Sequence, residues 1–325
     1  MKIGVLIPAY NSERYLAGSV QSVLGQTIEN WQAVIVDDGS SDRTAEIAAR
    51  LSSQDDRIRV VSQSNSGVAI ARNRAFAACS PECDYLCFLD SDDLLEPAAL
   101  ETLSTRLKHN PTAIAAHGTA RFIDHDGRGT RYSEIEGQVR GRYAVVGNEI
   151  VATPNAGETT FAMLIVANCI VTPGAALIRR SALEAAGEFD QAMSPCEDWD
   201  MWIRLARLGD IAFVDQHVVA YRRHATNATN DMGNMWRASD RVRVKATCSL
   251  LNDPLQAHLA RFVLDHPATM EYHARMTWAR ECLAQGHILS AAKQLRHAAR
   301  ARARMSSPYA DYRDIPANRT ERGLQ

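Results

Sequence analysis

Three aspartates fall within four residues, Asp90, Asp92 and Asp93, directly after the apolar run Tyr85 to Leu89. Such a run reads as a buried strand. Like charges this close repel, and burying them is costly unless a positive charge stands nearby. An Asp-x-Asp at a strand end offers hard oxygen ligands, which suits Mg²⁺ or Mn²⁺ bridging two phosphates. Similar clusters recur at Pro8-Ala9-Tyr10-Asn11, Asp37-Asp38-Gly39-Ser40 and Glu197-Asp198-Trp199-Asp200. Each has a local structural alternative. DDGSSD is a good capping turn, and EDWD places acids where a helix dipole favours them. Gathered at one edge of one sheet, they call for a cation, and a divalent metal with a nucleotide diphosphate would complete the site. No Gly-x-x-x-x-Gly-Lys occurs, and no Gly-x-Gly-x-x-Gly follows the first apolar run, so neither a P-loop nor a dinucleotide fingerprint is present.

The elements that must position these clusters alternate through the first half. Strands are expected at 2–7, 32–36, 58–61, 85–89 and 112–118. Helices are expected at 12–26, with Asn11 or Ser12 as N-cap, at 41–53, at 67–78, and after Pro97. Strands separated by single helices imply βαβ units, a mostly parallel sheet and a ligand site at the carboxyl ends of the strands. A hairpin should turn at Asp126-Gly127. Residues 131–160 show no period and read as an inserted loop. A strand at 174–179, helices at 181–187 and 197–209, and short strands at 211–214 and 218–223 follow. From about 232 the pattern is helical, with two helices over 270–304 joined at Gly286-His287. The last twenty residues or so are polar. The expected organisation is a domain over 1–230, a helical extension over 231–305 and a flexible tail over 306–325.

The chain has 325 residues, 46% of them hydrophobic, with a net charge of −2, so nothing draws it to nucleic acid. No secretory signal pattern opens the sequence, and the longest apolar window, 161–171, is too short to span a bilayer. Seven cysteines, an odd number, suggest reduced thiols in a cytoplasmic setting. Cys79, Cys83 and Cys87 recur every fourth residue, but no CxxC pairing exists, and they read as structural thiols. Arg296, Arg300, Arg302 and Arg304 make the last helix basic. That helix suits peripheral contact with the inner face of a membrane, a homo-oligomer contact or simple solvation.

The segments VLIPAYN, VIVDDGSSD, NSGVAIARN, YLCFLDSDD, EDWDMWIRL and YRRH, in that order, resemble the motif series of family 2 glycosyltransferases of the GT-A fold. The resemblance covers about residues 1–230. It implies an α/β fold with a mostly parallel sheet flanked by helices. It also implies an inverting transfer from a nucleotide diphosphate sugar to a saccharide or lipid-linked hydroxyl, with Mn²⁺ or Mg²⁺, in polysaccharide, glycolipid or glycoconjugate synthesis. By resemblance, Pro8, Ala9 and Tyr10 line the base and ribose, and Asp38 hydrogen-bonds the base. A carboxylate there can accept from the N3–H of a pyrimidine dione, which points to uridine, with thymidine sharing that edge. Arg72 approaches the base or phosphates, Asp90 the ribose or sugar, and Asp92 ligates the metal. Asp198 is the catalytic base, with Glu197 beside the acceptor and Trp199 in an acceptor wall. His224 completes the metal or diphosphate site. Alternatives stand beside these: Arg72 as a surface residue, His224 as a plain loop histidine, one of Trp199 and Trp202 as core, and Asp37 and Asp93 as turn caps. Two other functions compete. A nucleotidyltransferase would carry a Gly-rich basic loop where this chain has PAYNSERY, and a non-catalytic sugar-nucleotide-binding or scaffold protein has no need of Asp198.

Overall fold

The computed structural model describes residues 1–130, 142–146, 149–152, 157–248, 283 and 288–304. Strands β1 (Ile3–Ala9), β2 (Trp31–Asp37), β3 (Ile58–Ser62) and β4 (Tyr85–Phe88) alternate with helices α1 (Leu16–Leu24), α2 (Thr44–Gln54) and α3 (Val68–Ala78). They pair in parallel in the order β3-β2-β1-β4. β1 is buried along its whole length, as a parallel strand covered on both faces must be. Ala9 stands level with Asp37, and Leu6 with Phe88, so three of the acidic or polar motifs leave the sheet on one edge.

The rest of the chain builds outward from β4. The elements are β5 (Leu94–Leu95), α4 (Ala99–His109), β6 (Ala115–Ile123), β7 (Tyr143–Val146), β8 (Glu149–Ala152), α5 (Phe161–Val166), β9 (Ala176–Arg179), α6 (Arg180–Ala186), α7 (Glu197–Ala206), β10 (Ile211–Arg222), α8 (Met232–Cys248) and α9 (Ile288–Arg304). The main sheet reads β3-β2-β1-β4-β9-β6-β10-β5. β6 and β10 are parallel, whereas β9 runs against both β4 and β6, and β5 against β10. α8 buries Ala238 and Val242 in the same core that holds Trp202 and Met201. Of the helix expected before α9, only residue 283 is described, and the 306–325 tail lies outside the described residues. Among the described residues no helix is long and apolar enough to cross a membrane.

Several expectations shift. The two short strands at 211–214 and 218–223 are one strand, β10, whose pairing with β6 slips around His217. The stretch read as a featureless loop contains the antiparallel ribbon β7-β8. α1 starts at Leu16 without a side-chain cap, because the expected caps are committed elsewhere. Asn11 takes a left-handed φ of 48° and its Oδ1 accepts from the Ser41 N–H, while the Ser12 hydroxyl bonds that of Ser91. The hairpin after β6 forms as expected, with Asp124 N–H donating to Arg128 O at 2.9 Å.

The turn after β2 depends on Gly39. Its φ is +72°, and a Cβ there would sit 2.6 Å from the backbone nitrogen of Asn65. Gly39→Ala should therefore lower stability by about 1–3 kcal/mol from the backbone strain, read as a reduced urea midpoint with an unchanged slope. An unchanged midpoint would show that the turn relaxes freely.

Candidate active site

The loops at the carboxyl edge lock into one another through side chains. Asn11 N–H donates to Ser40 Oγ at 3.0 Å, Ser12 N–H to Thr44 Oγ1 at 2.7 Å, and Glu13 N–H to Asp42 Oδ2 at 3.0 Å. The Ser12 and Ser91 hydroxyls meet at 2.7 Å and tie the β1 loop to the aspartate loop after β4. Pro8 and Ala9 are buried in β1, and Tyr10 is the residue of the three that reaches solvent, at 51% exposure. Asp38 is buried and holds the loop before α3. Its Oδ1 accepts from Gln63 Nε2 and Ser66 N, both at 2.8 Å, and its Oδ2 from Gly67 N at 2.9 Å.

Arg72 is not a surface residue. It is 3% exposed and lies between two carboxylates from distant parts of the chain. Nη1 donates to Glu197 Oε1 at 2.6 Å and Nη2 to Asp90 Oδ1 at 2.7 Å. Its guanidinium thus joins α3 to the end of β4 and the start of α7, and two of its nitrogens are committed to protein rather than to phosphate. Burial disfavours its charge, but Asp90, Glu197 and Asp198 outweigh that and hold its pKa above the ordinary value. Burial raises the Asp90 carboxyl above its usual range, Arg72 opposes this, and Asp92 adds to it. Asp93, fully buried, is raised well above the usual range, first by burial and then by Asp92 and Asp90. Its Oδ1 accepts from Arg222 N at 2.8 Å and its Oδ2 from Thr172 Oγ1 at 2.8 Å. It is a buried anchor between β10 and the turn before β9, beyond a mere cap. The aspartate cluster is therefore tolerated partly by protein groups, so a metal need not balance all three charges.

Asp92 and His224 are brought together across 132 positions of sequence, with His224 Nε2 2.8 Å from Asp92 Oδ2. Thr226 Oγ1 lies 2.9 Å from His224 Nδ1, and Tyr15 stacks on the imidazole at 4.9 Å between ring centroids. Arg222 Nε donates to Asp92 O at 2.8 Å and its Nη1 to Asp124 O at 3.1 Å, fixing the Asp92 loop against the hairpin after β6. Among the described residues no cluster of three or more His, Cys, Asp or Glu forms a protein-only cage. An oxygen and a nitrogen donor side by side do fit a Mg²⁺- or Mn²⁺-type ion that takes one or two protein ligands and completes its shell with phosphate and water.

Asp198 stands in the first turn of α7, partly exposed, and its Oδ1 accepts from the Trp199 N–H at 2.7 Å. Burial pushes its carboxyl up to about 7, Glu197 adds to the rise, and Arg72 opposes it. Trp199 does not form an acceptor wall. It is 3% exposed, and its indole N–H donates to Leu164 O at 2.7 Å, so helical packing claims both it and Trp202 for the core. Among the described residues, Glu197 Oε2 and Arg72 Nε are buried without a hydrogen-bond partner. Thr172, Gln63, Tyr15 and Arg222 were missed from sequence. Arg222 lies inside the YRRH segment and Tyr15 four residues past VLIPAYN, but Thr172 carries no local signal.

Residues 4–187 match the family described as Glycosyl transferase family 2. The glycosyltransferase GlyG of Streptococcus pneumoniae is 26% identical over 279 residues, covering 83% of this chain and 89% of that protein. GlyA of the same organism is 36% identical over 126 residues, but the chain spans only 18% of its length. Among solved structures, S. aureus TarS in complex with UDP-GlcNAc superposes with a TM-score of 0.62 at 18% identity, over 93% of this chain and 83% of that one. The mannosyltransferase PcManGT from Pyrobaculum calidifontis, in complex with GDP-Man and Mn²⁺, gives a TM-score of 0.54 at 17% identity, over 93% of this chain and 77% of that one. These likenesses show a GT-A fold. With the family match extending over more than half of the residues, the chain belongs to glycosyl transferase family 2.

Proposed function

We propose that this glycosyltransferase moves a sugar, with inversion, from a uridine diphosphate sugar to a saccharide or lipid-linked hydroxyl, assisted by a divalent metal. The observation that carries the reading is an Asp92–His224 donor set together with a carboxyl raised to about 7 at Asp198, while Arg72 holds Asp90 and Glu197, which lie beside them in sequence. In this mechanism Asp198 takes the acceptor's proton as its oxygen attacks the anomeric carbon, and the nucleotide diphosphate leaves from the opposite face. A base with a pKa near 7 is well matched to work at neutral pH. A divalent ion held by Asp92 and His224 would neutralise charge on the departing diphosphate. Arg72 keeps Asp90 and Glu197 in place, and the unpartnered Glu197 Oε2 is an acceptor free for a hydroxyl of donor or acceptor sugar.

For the base, Asp38 Oδ1 already accepts two hydrogen bonds and Oδ2 one. A carboxylate oxygen accepts about two, so Oδ2 keeps one position for a pyrimidine N3–H. The UDP complexes of TarS support a uridine donor, whereas the GDP-Man complex of PcManGT shows that the fold alone admits another base.

Calorimetry tests donor and metal. UDP should bind more tightly than GDP in Mn²⁺, and EDTA or Asp92→Ala should weaken UDP binding sharply. GDP binding tightest would overturn the base assignment, and unchanged affinity in EDTA would overturn the metal assignment.

Asp198→Asn tests the base. Transfer should fall by roughly 10²–10⁴-fold while UDP affinity stays near that of the unaltered protein. Because the base works unprotonated, the wild-type rate should rise with pH through about 7. Near-normal turnover of the variant would move the role to another carboxylate.

A further inference from the structure

The imidazole beside Asp92 is held by more than Asp92. The His224 side chain is 11% exposed, with Nε2 2.8 Å from Asp92 Oδ2. Its backbone lies in a turn laced by asparagines. The His224 N–H donates to Asn227 Oδ1, Asn227 Nδ2 donates to Arg222 O at 3.1 Å, and Asn230 Nδ2 donates to His224 O at 2.9 Å. The ring itself has two further neighbours. Thr226 Oγ1 stands 2.9 Å from Nδ1, and Tyr15 stacks on the imidazole face, with the two planes 25° from parallel. Tyr15 is fixed in turn. It immediately precedes α1, its N–H donates to Ser12 O at 2.9 Å, and the Arg222 guanidinium lies 5.0 Å from its ring centroid. Arg222 also donates to the Asp92 carbonyl, so the aromatic plate against His224 and the loop carrying Asp92 share one support.

We propose that Tyr15 and Thr226 are positioning residues for the divalent-ion site: together they hold the His224 ring so that Nε2 stands beside Asp92. This rests on the reading of Asp92 and His224 as the metal donors. A histidine is a useful ligand only when the right nitrogen faces the ion, and rotation about its χ2 would turn that nitrogen away. Stacking on Tyr15 fixes the plane of the ring, because rotation out of that plane breaks the face contact. Two flipped orientations share the plane, and Thr226 separates them, since its hydroxyl meets Nδ1 in one and a ring carbon in the other. A hydroxyl also suits Nδ1 better than a carbonyl would, because it can donate to a bare Nδ1 or accept from Nδ1–H. The ring can then carry its proton on Nε2 while that nitrogen bonds Asp92. It can equally carry it on Nδ1, bonded to Thr226, which leaves the Nε2 lone pair for a cation.

The test is Mn²⁺ binding to the full-length protein in the presence of UDP, read from the protein-dependent loss of the free-ion electron paramagnetic resonance signal. Tyr15→Leu and Thr226→Val should each weaken Mn²⁺ binding by roughly tenfold, the low end of what outer partners of a ligating histidine contribute. Tyr15→Phe keeps the plate and Thr226→Ser keeps the hydroxyl, so both should bind as the unaltered protein does. Thr226 is exposed, so its variants carry the test even where loss of the Tyr15 ring disturbs the fold. Nitrogen NMR of His224 in the metal-free protein gives a second readout. The unaltered chain should show one ring tautomer, protonated at Nε2, and Tyr15→Leu a mixture. Full Mn²⁺ affinity in Tyr15→Leu or in Thr226→Val overturns the role of that residue, and a tautomer mixture in the unaltered chain overturns both. Asp92→Ala and His224→Ala separate this from failure of the metal reading. If they take up as much Mn²⁺ as the unaltered protein, the donors lie elsewhere, and the metal reading falls together with the positioning roles.

Discussion

One buried guanidinium organises the candidate active-site edge. Arg72 is the point at which helix α3, the aspartate loop after β4 and the N-terminus of α7 meet. An arginine is suited to this because its planar fork can satisfy two carboxylates in fixed directions, which a lysine cannot. A buried ion network is weak evidence for stability, since desolvation offsets much of the attraction. Its value here is geometric. Asp90 and Glu197, the residue adjoining the proposed base, cannot move independently while both are held by one rigid group.

The remaining contacts of that edge repeat the same logic with smaller groups. Ser12 joins three motif loops at once, through Thr44, Ser91 and its own carbonyl turn. Arg222 serves the far side, gripping the Asp92 loop, the hairpin after β6 and the face of Tyr15. Loops at a sheet edge are ordinarily mobile, but here each is bound by polar side chains of another. The cost is that few of these side chains remain free to contact substrate, which is why Asp38 and Arg72 act first on the protein.

The half of the sheet most legible in the sequence is the half that is parallel and buried on both faces. β1, β2 and β4 are continuous apolar runs bounded by polar motifs, and no other element type fits them. The direction of β9 was not legible, because a four-residue strand carries no mark of its partner's polarity. β5, two residues long, is below any periodic signal. The motif residues gather at one sheet edge, and several of them, Arg72 with Asp90 and Glu197 and Asp92 with His224, bond one another, which the sequence does not show. Trp199 illustrates the failure: its neighbours Glu197 and Asp198 face the site, but the helical period turns the indole inward to Leu164. Arg72 sits in a helix, VAIARNRAFAA, whose apolar residues are spread over every face, so periodicity does not say which face is buried.

The reversed direction of β9 has a mechanical meaning. Because it runs against β4, it begins at the carboxyl edge of the parallel strands, beside Thr172 and its bond to Asp93, and ends at the other edge, where Arg180 grips the Ser80–Cys83 turn. Its four residues span roughly 13 Å as an extended strand. Hydrogen-bonded on both sides, such a strand is stiff along its length, so it is a strut between the two rims of the sheet. A parallel strand in that slot would have placed its N-terminal end at the opposite rim and left Asp93 without its hydroxyl partner. The topology therefore gives the chain a short covalent line from the Ser80–Cys83 turn to the aspartate loop, independent of the long path through α3.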